Sequence, residues 1–306
     1  MTLDTTENNT AMTAQGRPTL VTHVAELRGA VAVARGDGQR IGLVPTMGAL
    51  HEGHLSLVRA SKAECGYTVV SIFVNPSQFG PGEDLDKYTR TLEADLKALA
   101  GCGAELAFAP PNEDVYGPRH TTWVEVGSVA EPLEGQCRPG HFRGVATIVL
   151  KLFNMVQPDV AYFGQKDYQQ ALVIRRMVED LDVPIEIRVC PIVREPDGLA
   201  MSSRNVYLSR EARQRSLVLS KSLQLAGRLV EQGERSTQQI AARMREVIAT
   251  AGDARIDYVA LVDPETLEPV RQIAGRTLAA LAVQIENTRL IDNCLLEPIG
   301  QNNPET

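Results

Sequence analysis

The sequence predicts an α/β protein, in which a Rossmann-like, doubly wound parallel sheet is followed by a second, smaller α+β C-terminal domain. Between residues 18 and 192, short apolar runs alternate with helix-like segments, which is typical of βαβ units. Several of these runs are rich in β-branched and aromatic residues without polar alternation, as expected for strands buried on both faces. Beyond residue 192, two amphipathic segments precede three apolar runs, and this order predicts helices packed on an antiparallel sheet.

Each predicted element follows from a local pattern. The clearest helix has apolar residues at offsets 0, 3, 4, 7, 8 and 11 from residue 145. In the first domain, the apolar runs predict strands at 41–44, 67–74, 104–109, 159–163 and 185–189. Helical spacing there predicts helices at 24–34, 55–65, 92–100, 145–156 and 168–180. In the second domain, the same criteria predict helices at 209–230 and 236–250 and strands at 256–262, 277–285 and 290–296.

The chain divides into three predicted segments. Residues 1–17 are rich in Thr and Asn and nearly free of large apolar side chains, which predicts a disordered leader. Residues 18–192 form the predicted Rossmann-like nucleotide-binding domain. Residues 193–306 form the predicted C-terminal domain, which is small enough to act as a lid.

The composition is that of a globular protein and disfavours several functional classes. The chain has 306 residues, of which 43% are hydrophobic, and a net charge of −7 without a basic cluster, which argues against a nucleic-acid-binding surface. Its five cysteines form no C-x-x-C pair, as is typical of reduced thiols in the cytoplasm. No apolar run is long enough to span a membrane. We therefore expect a cytoplasmic protein with small molecules as its partners, and no nucleic acid or membrane among them.

The stretch at 45–54, PTMGALHEGH, carries the strongest functional signal. It joins a predicted strand to a predicted helix start, where unpaired backbone N–H groups and the helix dipole favour an anion. Gly48 and Gly53 allow a ligand to approach the backbone closely. His51 and His54 are three residues apart and can reach one point from the first helical turn. The pattern predicts a nucleotide phosphate site, whereas a metal site would need a third ligand.

Other polar loops also follow predicted strands, at 75–80 and at 164–167. Loops at the carboxyl ends of parallel strands meet at one edge of the sheet, so we expect both to lie near 45–54. Lys166 could there reach phosphate oxygens as a point charge. A mixed polar loop at 193–205 follows the predicted domain boundary, where a lid could deliver its hydroxyl and guanidinium groups to the same site.

These segments resemble the pantothenate synthetase (pantoate–β-alanine ligase) family of the nucleotidyltransferase superfamily. The H-x-G-H signature at 51–54 is shared across that superfamily, including class I aminoacyl-tRNA synthetases, whereas the string PTMGALHEGH is much more specific. The segments FVNPSQF, GQKD, KDYQQ and MSSR agree with it, and the resemblance covers nearly the whole chain after the leader. Gln165 stands where the family usually has Glu, and Ser77 where it usually has Met.

The resemblance also implies roles for individual residues. The implied catalytic groups are His54, His51, Lys166 and Arg204. The implied ATP-binding residues are Met47, Gly48, His51, Gly53, His54, Gly164, Gln165, Lys166, Asp167, Val193, Met201, Ser202, Ser203 and Arg204. Gln78 and Gln170 are implied to bind pantoate and β-alanine, since uncharged donors orient a carboxylate nucleophile without pairing strongly with it.

The implied reaction is the ATP-dependent condensation of (R)-pantoate with β-alanine. The pantoate carboxylate would attack the α-phosphorus of Mg-ATP to give a pantoyl adenylate and pyrophosphate, and the amine of β-alanine would then displace AMP. Residues 18–192 would bind pantoate as well as the nucleotide, and the protein would be a homodimer. No direct metal ligand is implied, because Mg²⁺ would be held mainly by the ATP phosphates; Asp84, Asp86 and Asp95 are interpreted as surface acids that could approach it through water.

Other functions share parts of this pattern. A cytidylyl- or adenylyltransferase with the H-x-G-H signature would stop at a nucleotide-linked product, and a non-catalytic ATP-binding sensor would use the same loops without turnover. A tRNA synthetase fragment is disfavoured by the negative charge and by the lack of an anticodon-binding extension. Release of AMP that depends on an amine substrate distinguishes the ligase from these alternatives.

Overall fold

The computed structural model describes residues 16–86 and 88–298. These residues form a six-stranded parallel sheet followed by a three-stranded antiparallel sheet, which confirms the predicted fold class. The predicted leader lies outside the described residues except for its last two positions. Every helix in the described ranges is too short or too polar to cross a membrane.

The parallel sheet contains the five predicted strands and one that the sequence pattern missed. Its strands are β1 (Thr19–Val21), β2 (Ile41–Thr46), β3 (Tyr67–Ile72), β4 (Leu106–Phe108), β5 (Val160–Gly164) and β6 (Glu186–Cys190). The helices around it are α1 (Val24–Gly36), α2 (Glu52–Glu64), α3 (Leu92–Cys102), α4 (Asn112–Val115), α5 (Glu134–Cys137), α6 (His141–Val156) and α7 (Tyr168–Asp180). Strand β1 has only three residues, which is too short for a periodic pattern to stand out.

The strand order brings the predicted loops together. The order is β1-β4-β3-β2-β5-β6, so it reverses between β2 and β5, which pair through Gly42 with Val160 and Leu43 with Ala161. In open α/β sheets, ligands bind beyond the carboxyl ends of the strands at such a reversal. The loop that carries the two histidines therefore lies beside the turn that carries Lys166.

Helix α6 begins at His141, four residues before the predicted start. Its first turn contains polar residues and Gly144, which interrupt the apolar pattern. A Cβ atom on Gly144 would lie 2.4 Å from the backbone oxygen of Ser77, so only glycine permits this approach. The start of α6 is thereby packed against the loop that carries Gln78.

The C-terminal part consists of α8 (Arg210–Ser216), α9 (Val218–Glu231), α10 (Thr237–Ala249), β7 (Arg255–Val262), β8 (Thr277–Ile285) and β9 (Thr288–Leu296). The helix predicted at 209–230 is divided into α8 and α9 at Leu217, although the amphipathic pattern runs through the break. One face of the antiparallel sheet packs on α9 and α10. The other face shares a core with the first domain, where Leu278 and Ala280 join Leu172 and Val173 of α7.

An ion pair with a buried carboxylate also joins the two parts. The Glu134 carboxylate accepts two hydrogen bonds from the Arg289 guanidinium, both 2.7 Å long, and one of 2.8 Å from the Tyr258 hydroxyl. Burial opposes ionisation, but Arg289 and Tyr258 hold the pKa of Glu134 below its ordinary value. The charge is therefore retained inside the interface between the two parts of the chain.

Candidate functional site

Two histidines cap the start of α2. His51 is the N-cap residue, and its Nδ1 accepts a hydrogen bond from the backbone N–H of Gly53 at 3.1 Å. The Nδ1 of His54 accepts one from the backbone N–H of His51 at 3.3 Å, so the two side chains form a reciprocal capping box. Their ring centroids are 4.1 Å apart. The rings thus lie together at a helix start, as their spacing predicts.

The surroundings keep both rings neutral. Burial, together with the Lys166 ammonium, lowers the pKa of His51 to about 4. Burial, the neighbouring His51 ring and Lys166 lower the pKa of His54 to about 3. Because each Nδ1 accepts a backbone N–H, the single proton of each neutral ring is on Nε2. The pair therefore offers two uncharged N–H donors at the positive end of a helix dipole.

A buried carboxylate holds the turn that precedes these histidines. Gly48 and Ala49 have φ angles of 81° and 50°, in the left-handed region. Asp95 of α3 accepts hydrogen bonds from the backbone N–H groups of Ala49 at 3.1 Å and Leu50 at 2.8 Å. Asp95 is only 2% exposed, and burial raises its pKa although the backbone donors oppose that shift. The interpretation of Asp95 as a surface acid is therefore wrong: it fixes the histidine turn from inside.

Lys166 lies on a 3-10 turn, Gln165–Asp167, between β5 and α7. Its ammonium is close enough to contribute to the lowered pKa of both histidines. Among the described residues, the carboxylate oxygen nearest to Nζ is that of Asp167, at 3.7 Å, so the ammonium is not held in a tight ion pair there. Gly164, which ends β5, pairs with Cys190 of β6.

The MSSR loop lies over the start of α2. A Cβ atom on Gly53 would be 3.7 Å from the Cβ of Met201. The Ser202 hydroxyl accepts the backbone N–H of Arg204 at 3.2 Å. The Arg204 guanidinium donates from Nε and Nη2 to the two carboxylate oxygens of Asp84, both at 2.9 Å. Asp84 is therefore a partly buried acid that is paired with Arg204, and this pair joins the loop to the segment after β3.

Two further contacts hold this loop. The backbone oxygen of Val193 accepts the N–H of Met201 at 3.0 Å, which closes a hairpin at the base of the loop. The Ser203 hydroxyl is 3.3 Å from the hydroxyl of Tyr88. Both contacts connect the loop to the rest of the chain without using the Arg204 side chain.

Gln78 is held by its neighbours and is 9% exposed. Its Oε1 accepts a hydrogen bond from Asn75 Nδ2 at 2.9 Å, and its Nε2 lies 3.2 Å from the Met47 sulfur. The His141 Nδ1 lies 2.9 Å from the Gln78 backbone oxygen, and its Nε2 lies 3.1 Å from Arg138. Burial, reinforced by the Arg138 charge, lowers the pKa of His141 to about 4. The neutral ring accepts from Arg138 and donates to Gln78, so it fixes the Gln78 backbone.

A cavity of about 630 Å³ lies between the two parts of the chain, in the size range of small-molecule sites. The sequence-predicted site residues that line it are Lys166, Asp167, Gln170, Ser202 and Arg204. His51, His54 and Gln78 are not among its lining residues. The structure therefore gathers the cationic side chains and Gln170 on one surface and holds the histidines and Gln78 at the neighbouring loops.

The acidic residues that the structure describes form no dedicated metal site. Within residues 16–86 and 88–298, no group of three His, Cys, Asp or Glu side chains could hold a metal ion. Asp84 is bound by Arg204, and Asp95 by two backbone N–H groups. The described side chains thus do not fit a dedicated metal centre, and the metal interpretation of the histidine pair finds no third ligand among them.

Several supporting residues could not be assigned a role from the sequence. Arg138 and His141 lie in the segment 135–144, whose two arginines and histidine between glycines fit a substrate or phosphate contact and an ordinary surface loop equally well. Asp292 and Asn293 are consecutive polar residues inside an apolar strand, and each is 3% exposed. Polar pairs in a predicted buried strand need partners, so this interruption could have been recognised, but its partners could not.

Comparisons with known proteins agree along the chain. The family model for pantoate-beta-alanine ligase matches residues 19–295. The pantothenate synthetase of Moorella thermoacetica is 55% identical over 278 residues, covering 91% of this chain and 98% of that protein. The crystal structure of pantothenate synthetase from Thermus thermophilus has a TM-score of 0.87 at 46% identity, covering 91% of this chain and 99% of its own. The Francisella tularensis ligase, complexed with beta-gamma ATP and beta-alanine, has a TM-score of 0.74 at 32% identity, covering 91% and 97%.

We predict that Asp95→Asn destabilises the protein. The amide can accept one backbone N–H but presents an NH₂ group to the other, and a buried unsatisfied donor typically costs about 1–3 kcal/mol. Urea unfolding should show that loss. Glu93→Gln, on the exposed side of the same helix, is the matched control and should change stability by less than about 0.5 kcal/mol. Equal stabilities for wild type and Asp95→Asn would contradict the role of Asp95 in holding the turn before His51.

We also predict that stability declines with acidification before the carboxylates titrate. Below pH 6.5 the unfolded chain binds protons at histidines that the folded protein leaves neutral down to about 4 for His51 and about 3 for His54, so the free energy of unfolding falls as the pH drops. In His54→Asn, the pH slope between 5 and 6 should be smaller by about one proton. Denaturant unfolding at several pH values measures that slope; an unchanged slope would mean that His54 is protonated in the folded state.

Proposed function

The chain belongs to the pantoate-beta-alanine ligase family and joins pantoate to β-alanine to give pantothenate, and we propose that it does so through a pantoyl adenylate formed beside His51 and His54. ATP is its co-substrate. The observation that carries the proposal is the pair of neutral histidines at the start of α2, next to the ammonium of Lys166. Such a site stabilises charge on phosphate oxygens and requires no covalent enzyme intermediate.

The reaction proceeds in two displacements. A carboxylate oxygen of pantoate forms a bond to the α-phosphorus of ATP while the bond to the bridging oxygen breaks and pyrophosphate leaves. The β-alanine amine then attacks the acyl carbon of the adenylate, loses a proton, and expels AMP. A carboxylate offers no good leaving group to an amine, whereas AMP is one. Both displacements therefore depend on positioning and on charge stabilisation.

The histidines act on the charge that develops at the α-phosphate. Their Nε2–H groups are free of the capping hydrogen bonds, which use Nδ1. As uncharged donors, they gain strength when negative charge accumulates on a phosphate oxygen and bind resting ATP less tightly than two imidazolium ions would. Interactions that strengthen in the transition state are the ones that raise the rate.

Lys166 and Arg204 neutralise the phosphates from two loops. Lys166 faces the cavity without a tight ion pair. Arg204 also lines it, but the Nε and Nη2 groups of its guanidinium already donate to the Asp84 carboxylate. Phosphate oxygens suit the same planar fork. We propose that the β- and γ-phosphates take the place of the Asp84 carboxylate when ATP binds.

Gln78 and Gln170 are proposed to bind the pantoate and β-alanine substrates. Gln170 lines the cavity, and the Gln78 side chain is oriented by Asn75. Asn75 donates to the Gln78 oxygen, so Nε2 is the donor end of the side chain. One of its two N–H groups contacts the Met47 sulfur, and the other is proposed to donate to a substrate hydroxyl or carboxylate.

Backbone and side-chain groups around these loops complete the proposed ATP site. They are Met47, Gly48, Gly53, Gly164, Gln165, Asp167, Val193, Met201, Ser202 and Ser203. Mg²⁺ is proposed to arrive with ATP and to be held mainly by its phosphates, since the described side chains form no dedicated metal site.

The remaining features of the enzyme are also proposals. A homodimer is proposed from the family resemblance, and a cytoplasmic location from the scattered, unpaired cysteines. The division at residues 192 and 193, with the C-terminal part as a lid, is supported by the end of β6 at Cys190. The transferase and sensor alternatives are disfavoured, because the family and relatives described above are ligases.

We predict that the protein, with ATP, Mg²⁺ and (R)-pantoate, exchanges labelled pyrophosphate into ATP before β-alanine is added. Reversible formation of an adenylate requires this exchange. Adding β-alanine should then yield AMP and pantothenate in equal amounts. Formation of ADP would indicate an acyl phosphate instead, and pantoate label that remains on denatured protein would indicate an acyl-enzyme; either result would refute the adenylate.

We further predict that His51→Ala and His54→Ala each lower the rate of exchange by about 10²–10³, the usual cost of losing one preorganised donor. Lys166→Ala and Arg204→Ala should weaken ATP use, and Arg204→Ala should impair adenylate formation more than the second step. Supplying preformed pantoyl adenylate with β-alanine isolates that second step. Equal defects in both steps would contradict the role of Arg204. Near-normal turnover in a variant that carries both His51→Ala and His54→Ala would contradict the histidine site.

A further inference from the structure

Two consecutive residues of β9 contact two different loops of the proposed ATP site. Asp292 and Asn293 are each 3% exposed and line the cavity. They belong to the antiparallel sheet, where they pair with Leu281 and Ala280 of β8. Buried polar side chains in a sheet core are costly unless their hydrogen bonds are satisfied, so their partners indicate why they are there.

Asn293 holds the turn that carries Lys166. Its Nδ2 donates to the backbone oxygen of Gln165 at 3.0 Å and to that of Lys166 at 2.9 Å. Both protons of the amide are thereby used, which leaves Oδ1 as an acceptor facing the Gln165 side chain at 3.4 Å. Glutamine at position 165 matches this orientation because its Nε2 can donate, whereas an ionised glutamate could not.

Asp292 holds the base of the loop that carries Arg204. Its carboxylate accepts hydrogen bonds from the two terminal nitrogens of Arg194, at 2.7 and 3.0 Å. Arg194 also donates to the backbone oxygen of Gly198 at 3.2 Å and pairs with Ala200 across the hairpin. The hairpin ends where the MSSR loop begins, so the position of Arg194 determines the path of that loop.

From these contacts we infer that Asp292 and Asn293 are positioning residues for the ligase reaction, Asn293 acting through Lys166 and Asp292 acting through the Arg204 loop. The inference rests on the phosphate-binding role proposed for those two cations. Neither β9 side chain needs to touch a substrate. The Asp292 carboxylate also accepts the backbone N–H of Asn293 at 2.8 Å, which further restrains the Asp292 side chain.

Double-mutant cycles test this inference, because residues that act through one another are non-additive while independent ones add. The measured quantity is kcat/KM for ATP at saturating pantoate and β-alanine. We expect Asn293→Ala to lower it about tenfold in the wild type, as loss of a few buried hydrogen bonds would. In the Lys166→Ala background, the same change should have little further effect. In the Arg204→Ala background, its full effect should remain.

Asp292→Asn should show the opposite pattern, with its effect abolished by Arg204→Ala and retained with Lys166→Ala. Thr277→Val is the matched control: Thr277 is 2% exposed in β8, and its hydroxyl donates to the Gly275 backbone oxygen, outside both loops. It should leave kcat/KM for ATP unchanged while reporting the effect of weakening the same sheet. Asn293→Ser, which retains one donor, should give an intermediate loss and serves if the alanine variant does not fold.

The outcomes are distinct. If Lys166→Ala and Arg204→Ala do not impair ATP use, the proposed function of the two cations fails and the positioning role fails with it. If those single variants are impaired but the β9 changes are additive in both backgrounds, only the positioning inference is overturned. A loss shared equally by Thr277→Val would likewise overturn it, because the effect would then come from the stability of the sheet.

Discussion

The direct pairing of β2 with β5 is the constraint on which the site depends. Because the strand order reverses there, two loops that are over one hundred residues apart in sequence, after Thr46 and after Gly164, leave the sheet side by side. The parallel arrangement points both in the same direction. The backbone hydrogen bonds of the sheet thus bring the histidines, Lys166 and the polar loop after β3 to one edge, independently of side-chain contacts.

Burial, more than ion pairing, sets the protonation state of the two histidines. His51 and His54 use their Nδ1 atoms to cap α2 and stay neutral beside an ammonium. The turn in front of them is held by the carboxylate of Asp95, whose negative charge is turned towards backbone N–H groups rather than towards the ligand side. An acid that approached the phosphates would repel them, so it is useful that the Asp95 carboxylate is buried against two backbone N–H groups.

The C-terminal part contributes more to the proposed site than the MSSR loop alone. Its sheet is anchored to α7 through a shared apolar core, to α5 through the buried Glu134 and Arg289 pair, and to the Lys166 turn through Asn293. These contacts differ in kind: the first is non-directional, while the ion pair and the amide fix orientation. The cavity between the two parts therefore has walls whose relative position is defined by directional bonds as well as by packing.

The sequence by itself determined the fold class, most strands and helices, and the identity of the loops with chemistry, because these depend on local periodicity and on short motifs such as the one at 45–54. It missed β1, which has only three residues, and the early start of α6, whose first turn is polar. It also missed the break at Leu217, because the amphipathic pattern continues through it. Only the tertiary structure decided which residues are hydrogen-bond partners. The sequence predicts Asp95 as a surface acid, whereas the structure shows it buried against two backbone N–H groups. In the sequence Asn293 is only a polar residue within an apolar strand, whereas the structure shows that it bonds to the turn of Lys166. A hydrogen bond between distant residues depends on ångström-scale placement, which local sequence does not encode.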